Sequence, residues 1–93
     1  NALGYELLRD GAREKALVFF ELNTKAYPQS ANTYDSMGEA CETMGDLPRA
    51  AECYKKALDT LPSDTTRSEA SKIRLKEAFE KNLARVAGDR KPD

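Results

Sequence analysis

The chain has 93 residues, with 15 basic and 16 acidic side chains and a net charge of −1 at pH 7. This length corresponds to one small domain, the near-neutral charge gives no electrostatic basis for binding nucleic acid, and no apolar run approaches the roughly 18 residues that a membrane span needs. The sequence has no histidine, which excludes histidine-based metal sites, Ser-His-Asp catalysis and imidazole pH switches.

The first part of the chain is predicted to form two helices. One helix ends near Asp10, Gly11 forms the turn, and a second helix runs from about Ala12 to Ala26 and stops before Pro28. Glycine is favoured just after a helix because it adopts positive φ without strain, and proline cannot continue a helix because it lacks a backbone N–H. These residues therefore predict a helical hairpin.

The second part of the chain repeats this plan, beginning with a helix that Ser30 or Asn32 caps. This helix is predicted to run to about Met44, where Gly45 ends it. Its apolar residues follow the 3, 1, 3 spacing of one helical face: Tyr34, Met37, Gly38 and Cys41.

The partner helix is predicted to begin at Asp46, a good N-cap, with Pro48 in its first turn, and to end near Thr60 before Pro62. Its apolar face is formed by Ala50, Cys53, Tyr54, Ala57, Leu58 and Leu61. Because Gly38 and Ala50 have little or no side chain, the two helices are expected to approach closely there.

The two hairpins are related by a shift of 34 residues. This shift pairs residues of the same type at four positions: Gly4 with Gly38, Gly11 with Gly45, Ala16 with Ala50, and Pro28 with Pro62. The spacing of the second hairpin is Tyr34-x2-Met37-Gly38-x2-Cys41-x8-Ala50-x3-Tyr54-x2-Ala57-x4-Pro62. This run resembles the tetratricopeptide repeat, and the resemblance implies an all-α fold in which antiparallel helix pairs stack as a short right-handed superhelix.

Two departures from this pattern mark the first repeat. Asn23 stands where a small alanine is expected, and the leading aromatic position would lie before Asn1. We therefore expect the sequence to begin inside a helix of a longer protein, and to form a single domain in which residues 1–30 are a truncated first repeat and residues 31–64 the second.

Residues 65–87 lack the repeat signature and are predicted to form a capping helix. Ser63, Asp64 or Thr66 is expected to cap its N-terminus, and its apolar stripe consists of Leu75, Phe79, Leu83 and Val86. A terminal element that covers the last apolar face and presents a polar outer surface is typical of repeat proteins. Residues 88–93 are expected to form a frayed tail.

A narrower resemblance is carried by two strings, Asn1-Ala-Leu-Gly-Tyr-x-Leu-Leu and Asn32-x-Tyr-Asp-Ser-Met-Gly-Glu-Ala. They are similar to a repeat pair at the C-terminus of certain bacterial serine hydrolases of the β-lactamase-like or esterase type. This resemblance implies an accessory domain that packs on an upstream catalytic domain or mediates self-association. It favours a periplasmic or extracellular location, whereas a free-standing module would fit the cytoplasm equally well.

The chain itself is predicted to be non-catalytic and to hold no cofactor or metal. No serine has a lysine three residues later, and the sequence contains neither a Gly-x-Ser-x-Gly elbow nor a glycine-rich phosphate loop. Asp35, Glu39 and Glu42 are paired carboxylates, but on an exposed helical face they are expected to stay ionised rather than serve as general acids.

A partner-binding face is predicted on the first helix of each pair. In the tetratricopeptide family these helices line a concave surface that binds protein segments or peptides. Helical spacing assigns to this face Asn1, Tyr5, Asn32, Asp35, Ser36, Glu39 and Glu42. The resulting acidic stripe suits a basic or hydrogen-bond-donating partner, and the alternatives are a solvated surface or an internal role.

The internal role follows from the distribution of charge along the chain. Residues 1–64 carry seven basic and eleven acidic side chains, whereas residues 65–93 carry eight and five, so the capping helix could complement the acidic repeats. A truncated first helix would also leave an apolar edge through Leu3 and Leu7, which would allow a homodimer.

Cys41 and Cys53 are too few for a disulfide framework and lack Cys-x-x-Cys spacing, so they are interpreted as small buried hydrophobic residues. In an antiparallel pair that turns near Gly45, their levels along the helix axes differ by roughly 6–7 Å at about 1.5 Å per residue. This offset predicts that they do not form an internal disulfide.

Overall fold

The computed structural model describes residues 13–88, which fold into four α-helices and one 3₁₀ turn and contain no β-strand. The helices are α1 (Arg13–Ala26), α2 (Ala31–Thr43), α3 (Leu47–Thr60) and α4 (Glu69–Gly88), and the 3₁₀ turn Leu61–Ser63 follows α3 directly. The predicted all-α fold is confirmed for this part of the chain.

Several predictions concern residues outside the described range. They are the first helix up to Asp10, its turn at Gly11, the apolar edge at Leu3 and Leu7, the site residues Asn1 and Tyr5, and residues 89–93 of the C-terminal tail. The predicted first residue of that tail, Gly88, is instead the last residue of α4. Within residues 13–88, none of the helices combines the length and the apolar character that a membrane span requires.

The turn between α2 and α3 follows the prediction closely. Gly45 has φ of +83°, the left-handed conformation that glycine adopts most easily. The N–H of Asp46 bonds to the carbonyl of Cys41 at 2.9 Å and the N–H of Gly45 to that of Glu42 at 3.0 Å, which is the Schellman pattern. The Asp46 carboxylate then accepts a hydrogen bond from the N–H of Arg49, so it caps α3 as predicted.

This tight turn lays α2 and α3 side by side in opposite directions. Ala31 at the start of α2 packs near Leu61 just after the end of α3, while Ala40 and Ala50 pack near the turn. Between these ends, the buried ring of Tyr54 lies directly against Gly38. A Cβ atom built on Gly38 would lie 2.6 Å from Cε1 of Tyr54, so the close approach expected at this glycine is real.

The remaining helices cover this pair with apolar side chains. Ala16 and Phe20 of α1 are fully buried in a cluster with side chains of α2 and α3, and Val86 of α4 belongs to the same cluster. Phe79 of α4 is buried in a second cluster, beside Ala31 and Leu61. Leu75 and Leu83 are partly buried beside them, which confirms the apolar stripe predicted for the capping helix. α4 lies mainly along α3, and α1 lies mainly along α2.

The predicted start of the capping helix is wrong. α4 begins at Glu69 rather than near residue 65, and its cap is Ser68, whose hydroxyl accepts a hydrogen bond from the N–H of Ser71 at 3.2 Å. The expected caps Ser63, Asp64 and Thr66 lie in the connecting segment instead.

Asp64 has a different role, because it is fully buried and caps α2. Its carboxylate accepts hydrogen bonds from the N–H of Ala31 at 2.9 Å and from the N–H and hydroxyl of Thr66 at 2.9 and 2.6 Å. Ser30 occupies the N-cap position of α2 as predicted, but its side chain makes no capping hydrogen bond, and Asn32 lies inside the helix. Burial raises the pKa of Asp64, but these hydrogen bonds outweigh burial, so its pKa is lower than usual.

We predict that Gly38→Ala lowers the free energy of unfolding by about 2–3 kcal/mol, because the added methyl group overlaps a buried ring that cannot move freely. Urea denaturation followed by circular dichroism measures this loss. Gly88→Ala is the matched control, since no atom lies within 4 Å of the Cβ position at Gly88. Equal stability of Gly38→Ala and the wild-type chain would contradict the close contact.

Candidate functional site

The acidic stripe predicted from the sequence lies along α2, with residues that differ in exposure. Asn32, Asp35 and Glu42 are half-buried and Glu39 is exposed. Ser36 was included in the predicted face, but it is only 2% exposed and belongs to the interior side of the helix. Among the described residues, the predicted face therefore consists of Asn32, Asp35, Glu39 and Glu42.

One end of this stripe is occupied by α4. The guanidinium of Arg85 binds the Glu42 carboxylate through both oxygens, with Nε to Oε2 and Nη2 to Oε1 distances of 2.7 Å each. The hydroxyl of Tyr54 donates to the same carboxylate at 2.8 Å. Glu42 thus receives hydrogen bonds from α3 and from α4 while it is held on α2, and it joins three helices.

Asn82 of α4 extends this network towards the middle of the stripe. Its amide nitrogen donates to Oδ1 of Asp35 at 3.1 Å, and its amide oxygen accepts from Nη1 of Arg85, also at 3.1 Å. Two of the predicted partner-binding residues, Asp35 and Glu42, therefore have intramolecular partners on the capping helix. This arrangement supports the internal role that the opposite charges of the two parts of the chain suggested.

The two carboxylates respond to these surroundings in opposite ways. The hydrogen bonds from Arg85 hold the pKa of Glu42 below its ordinary value, and Glu42 in turn raises the pKa of Arg85. The pKa of Asp35 rises from 3.8 to about 6, first because the carboxyl is desolvated and then because the charge of Glu39 repels its own. Asn82 and Arg85 only partly offset this rise.

The stripe therefore divides into two parts. At Glu42 the negative charge is neutralised by a bidentate guanidinium. At Asp35 and Glu39, one helical turn apart, burial of the Asp35 carboxyl first and the charge of Glu39 second disfavour ionisation of Asp35. A cation bound beside these two carboxylates would favour their ionised form.

A second surface feature, which the sequence does not predict, lies between α1, α2 and α3. It is an open cleft of about 310 Å³. Its lining consists of Glu21, Thr24, Lys25, Tyr34, Met37, Arg49, Glu52, Cys53 and Lys56. Arg49 forms an ion pair with Glu21 across the cleft, and the ammonium of Lys56 lies 5.9 Å from the centre of the Tyr34 ring.

The sequence contains only a weak signal for this cleft. Helical periodicity assigns Glu21 and Glu52 to the polar sides of their helices, but it does not say that these sides face each other. In residues 13–88, no group of three or more cysteine, aspartate or glutamate side chains is arranged to hold a metal ion.

No model of a protein family, no curated protein sequence and no solved structure matches the chain.

We predict that Arg85→Met lowers the free energy of unfolding by about 1 kcal/mol at low ionic strength, because it leaves the half-buried Glu42 without its cationic partner. The loss should shrink as salt is added, since the ion pair is partly open to solvent. Urea denaturation at several salt concentrations measures both effects. Arg74→Met, at an exposed position of the same helix, is the matched control, and losses of equal size in the two variants would contradict a specific role for Arg85.

We predict that Asp35→Asn stabilises the chain by about 1 kcal/mol at pH 7, a value reduced for the solvent screening of a half-buried group. Because the pKa of Asp35 is raised to about 6 in the folded state, the native chain keeps a proton that the unfolded chain loses between pH 3.8 and 6. The contribution of protonated Asp35 to the free energy of unfolding is therefore fully present below about pH 4, and it is lost as the pH rises through 6. Asparagine does not titrate and retains the oxygen that Asn82 contacts.

Thermal unfolding of both chains from pH 4 to pH 8 tests this linkage. The difference between the two chains should grow with pH and level off above about pH 7. A variant that is less stable than the wild type at pH 7, or a difference that does not change with pH, would contradict it.

Proposed function

We propose that this chain is a non-catalytic protein-interaction module of the tetratricopeptide-repeat type, and that the Asp35–Glu39 part of its acidic stripe binds a basic segment of a protein or peptide. The observation that carries this proposal is the position of two carboxylates one turn apart on α2, half-buried Asp35 and exposed Glu39, where the charge of Glu39 adds to burial in raising the pKa of Asp35 to about 6. A lysine or arginine placed there lowers the free energy of the ionised pair.

The contact with α4 supports the chemistry of this proposal. The same face of α2 already binds Arg85 and Asn82 of α4. A guanidinium pairs with a carboxylate through two parallel hydrogen bonds, so the pairing fixes the relative orientation of the two groups as well as neutralising their charges. A partner that presents arginine to Glu39 and Asp35 would repeat this arrangement one to two turns nearer the start of α2.

The neighbouring side chains are suited to a polypeptide ligand. Asn32 lies half-buried one turn before Asp35, and its amide can both donate to and accept from a peptide backbone. Glu39 is exposed on the other side of Asp35. The three side chains span about two turns of α2, or roughly 10 Å at about 1.5 Å per residue, which is the length of three extended residues of a ligand.

Selection from a displayed library of random peptides tests this proposal without a known ligand. We expect peptides rich in arginine and lysine to be enriched, and we expect their affinity to fall at least tenfold in the variant Asp35→Asn/Glu39→Gln. Their affinity should also fall below pH 6, where Asp35 becomes protonated. Isothermal titration calorimetry with the best peptide measures both effects.

The matched control is Glu52→Gln/Asp59→Asn, which removes the same charge from exposed positions of α3. If both double variants weaken binding equally, the peptides recognise only net charge. If the selected peptides have no basic bias, or bind Asp35→Asn/Glu39→Gln as well as the wild type, the proposed face is wrong.

A second candidate function is an accessory domain that packs on another domain of a longer chain, as in the serine hydrolases. It is favoured by two exposed apolar side chains one turn apart on α1, Val18 and Leu22, which are 54% and 60% exposed. Selected peptides that are apolar, and whose binding is lost in Val18→Ser/Leu22→Ser, would favour this candidate over the acidic face.

A further inference from the structure

α4 places two polar side chains on the acidic stripe of α2, and they bind its carboxylates with different strength. Arg85 binds Glu42 through two hydrogen bonds of 2.7 Å between opposite charges. Asn82 binds Asp35 through one hydrogen bond of 3.1 Å, whose donor is a neutral amide. Hydrogen bonds that join two opposite charges are shorter and stronger than those with a neutral donor. The Asn82 contact is therefore the weaker one, and a competing donor replaces it more easily.

The position of α4 does not depend on the Asn82 contact. Phe79 and Val86 are buried in the two apolar clusters described above, and α4 lies mainly along α3. Asn82 is only half-buried, and its side chain reaches across to α2. The amide can therefore turn away from Asp35 while the apolar side chains keep the helix in place.

A basic ligand on the proposed face needs the carboxylate that Asn82 contacts. Asp35 and exposed Glu39 lie one turn apart and are the two acidic residues assigned to the ligand. A guanidinium or ammonium group of the ligand offers Asp35 a full positive charge, so it replaces the neutral amide. It has no such advantage over Arg85, because α4 already holds that guanidinium on Glu42 through two charged hydrogen bonds.

We propose that α4 is an internal competitor for the acidic face. In the free chain Asn82 occupies Asp35, and it gives way to an arginine or lysine of the ligand. Arg85 keeps Glu42 occupied in both states, so the face ends there. This inference rests on the proposed function, because the ligand is the basic segment proposed above, and it adds how the chain limits the affinity and the length of that ligand.

Isothermal titration calorimetry with a hexa-arginine peptide at low ionic strength and pH 7 tests the competition. Asn82→Ala changes no charge and releases Asp35, so we expect it to bind the peptide about two- to tenfold more tightly than the wild type, as for the loss of one internal hydrogen bond. In a chain that also carries Asp35→Asn, the same substitution should leave the affinity unchanged, because the carboxylate for which both groups compete is absent.

Asn82→Lys tests the competition in the opposite direction. It brings a cation to Asp35, so this variant should bind the peptide about tenfold more weakly than Ala84→Lys, which adds the same charge at an exposed position of α4. Circular dichroism verifies that each variant folds. If Asn82→Ala does not fold, the comparison of Asn82→Lys with Ala84→Lys still decides whether position 82 competes with the ligand.

Arg85→Met tests whether the face ends at Glu42. Because it opens this carboxylate to the peptide, we expect it to bind about threefold more tightly than Lys81→Met, which removes the same charge from an exposed position of α4. Equal affinities of these two variants would overturn the limit at Glu42, since the gain would then reflect net charge alone.

The outcomes separate this inference from the proposed function. If the peptide binds the wild type and Asp35→Asn/Glu39→Gln equally, or binds none of the chains, the acidic face is wrong and the inference is wrong with it. If binding needs the two carboxylates but Asn82→Ala binds no more tightly than the wild type, or Asn82→Lys binds as well as Ala84→Lys, the proposed function stands and α4 is not a competitor.

Discussion

The contact between Tyr54 and Gly38 brings α2 and α3 together, and the other features of the domain depend on it. The ring is fully buried and fills the space that a side chain on Gly38 would occupy. Its hydroxyl emerges beside Glu42 and donates to the carboxylate, which also binds Arg85. One aromatic residue therefore determines how close α2 and α3 lie and helps to orient the carboxylate that attaches α4.

The acidic side of α2 serves the fold and the proposed function with different residues. Glu42 is neutralised by Arg85, so its ionisation stabilises the folded chain and this contribution is lost in acid. Asp35 responds in the opposite sense, since burial and Glu39 raise its pKa and its ionisation costs stability above pH 6. A cationic partner would offset the part of this cost that comes from repulsion between Asp35 and Glu39, which is the physical basis of the proposed interaction.

The interface between α2 and α3 also shows what counting residues along a helix leaves out. Counting residues from the turn at Gly45 measures displacement along the helix axes, but it contains neither the distance between the axes nor the direction of the side chains. The absence of a side chain at Gly38 lets the ring of Tyr54 pack directly against α2. The sides of α1, α2 and α3 that face each other enclose a cleft, which periodicity could not predict.

The sequence by itself determined the elements that depend on local chemistry: the helices α1 to α3 within a residue or two, the glycine turn at Gly45, the Asp46 cap and the apolar stripe of α4. Only the tertiary structure decided which long-range partners the polar side chains find. Asp64 caps α2 across 33 residues of sequence, and Arg85 reaches Glu42 across 43. Turns, caps and periodicity follow from neighbours along the chain, whereas the partners of buried carboxylates follow from how the helices pack against each other.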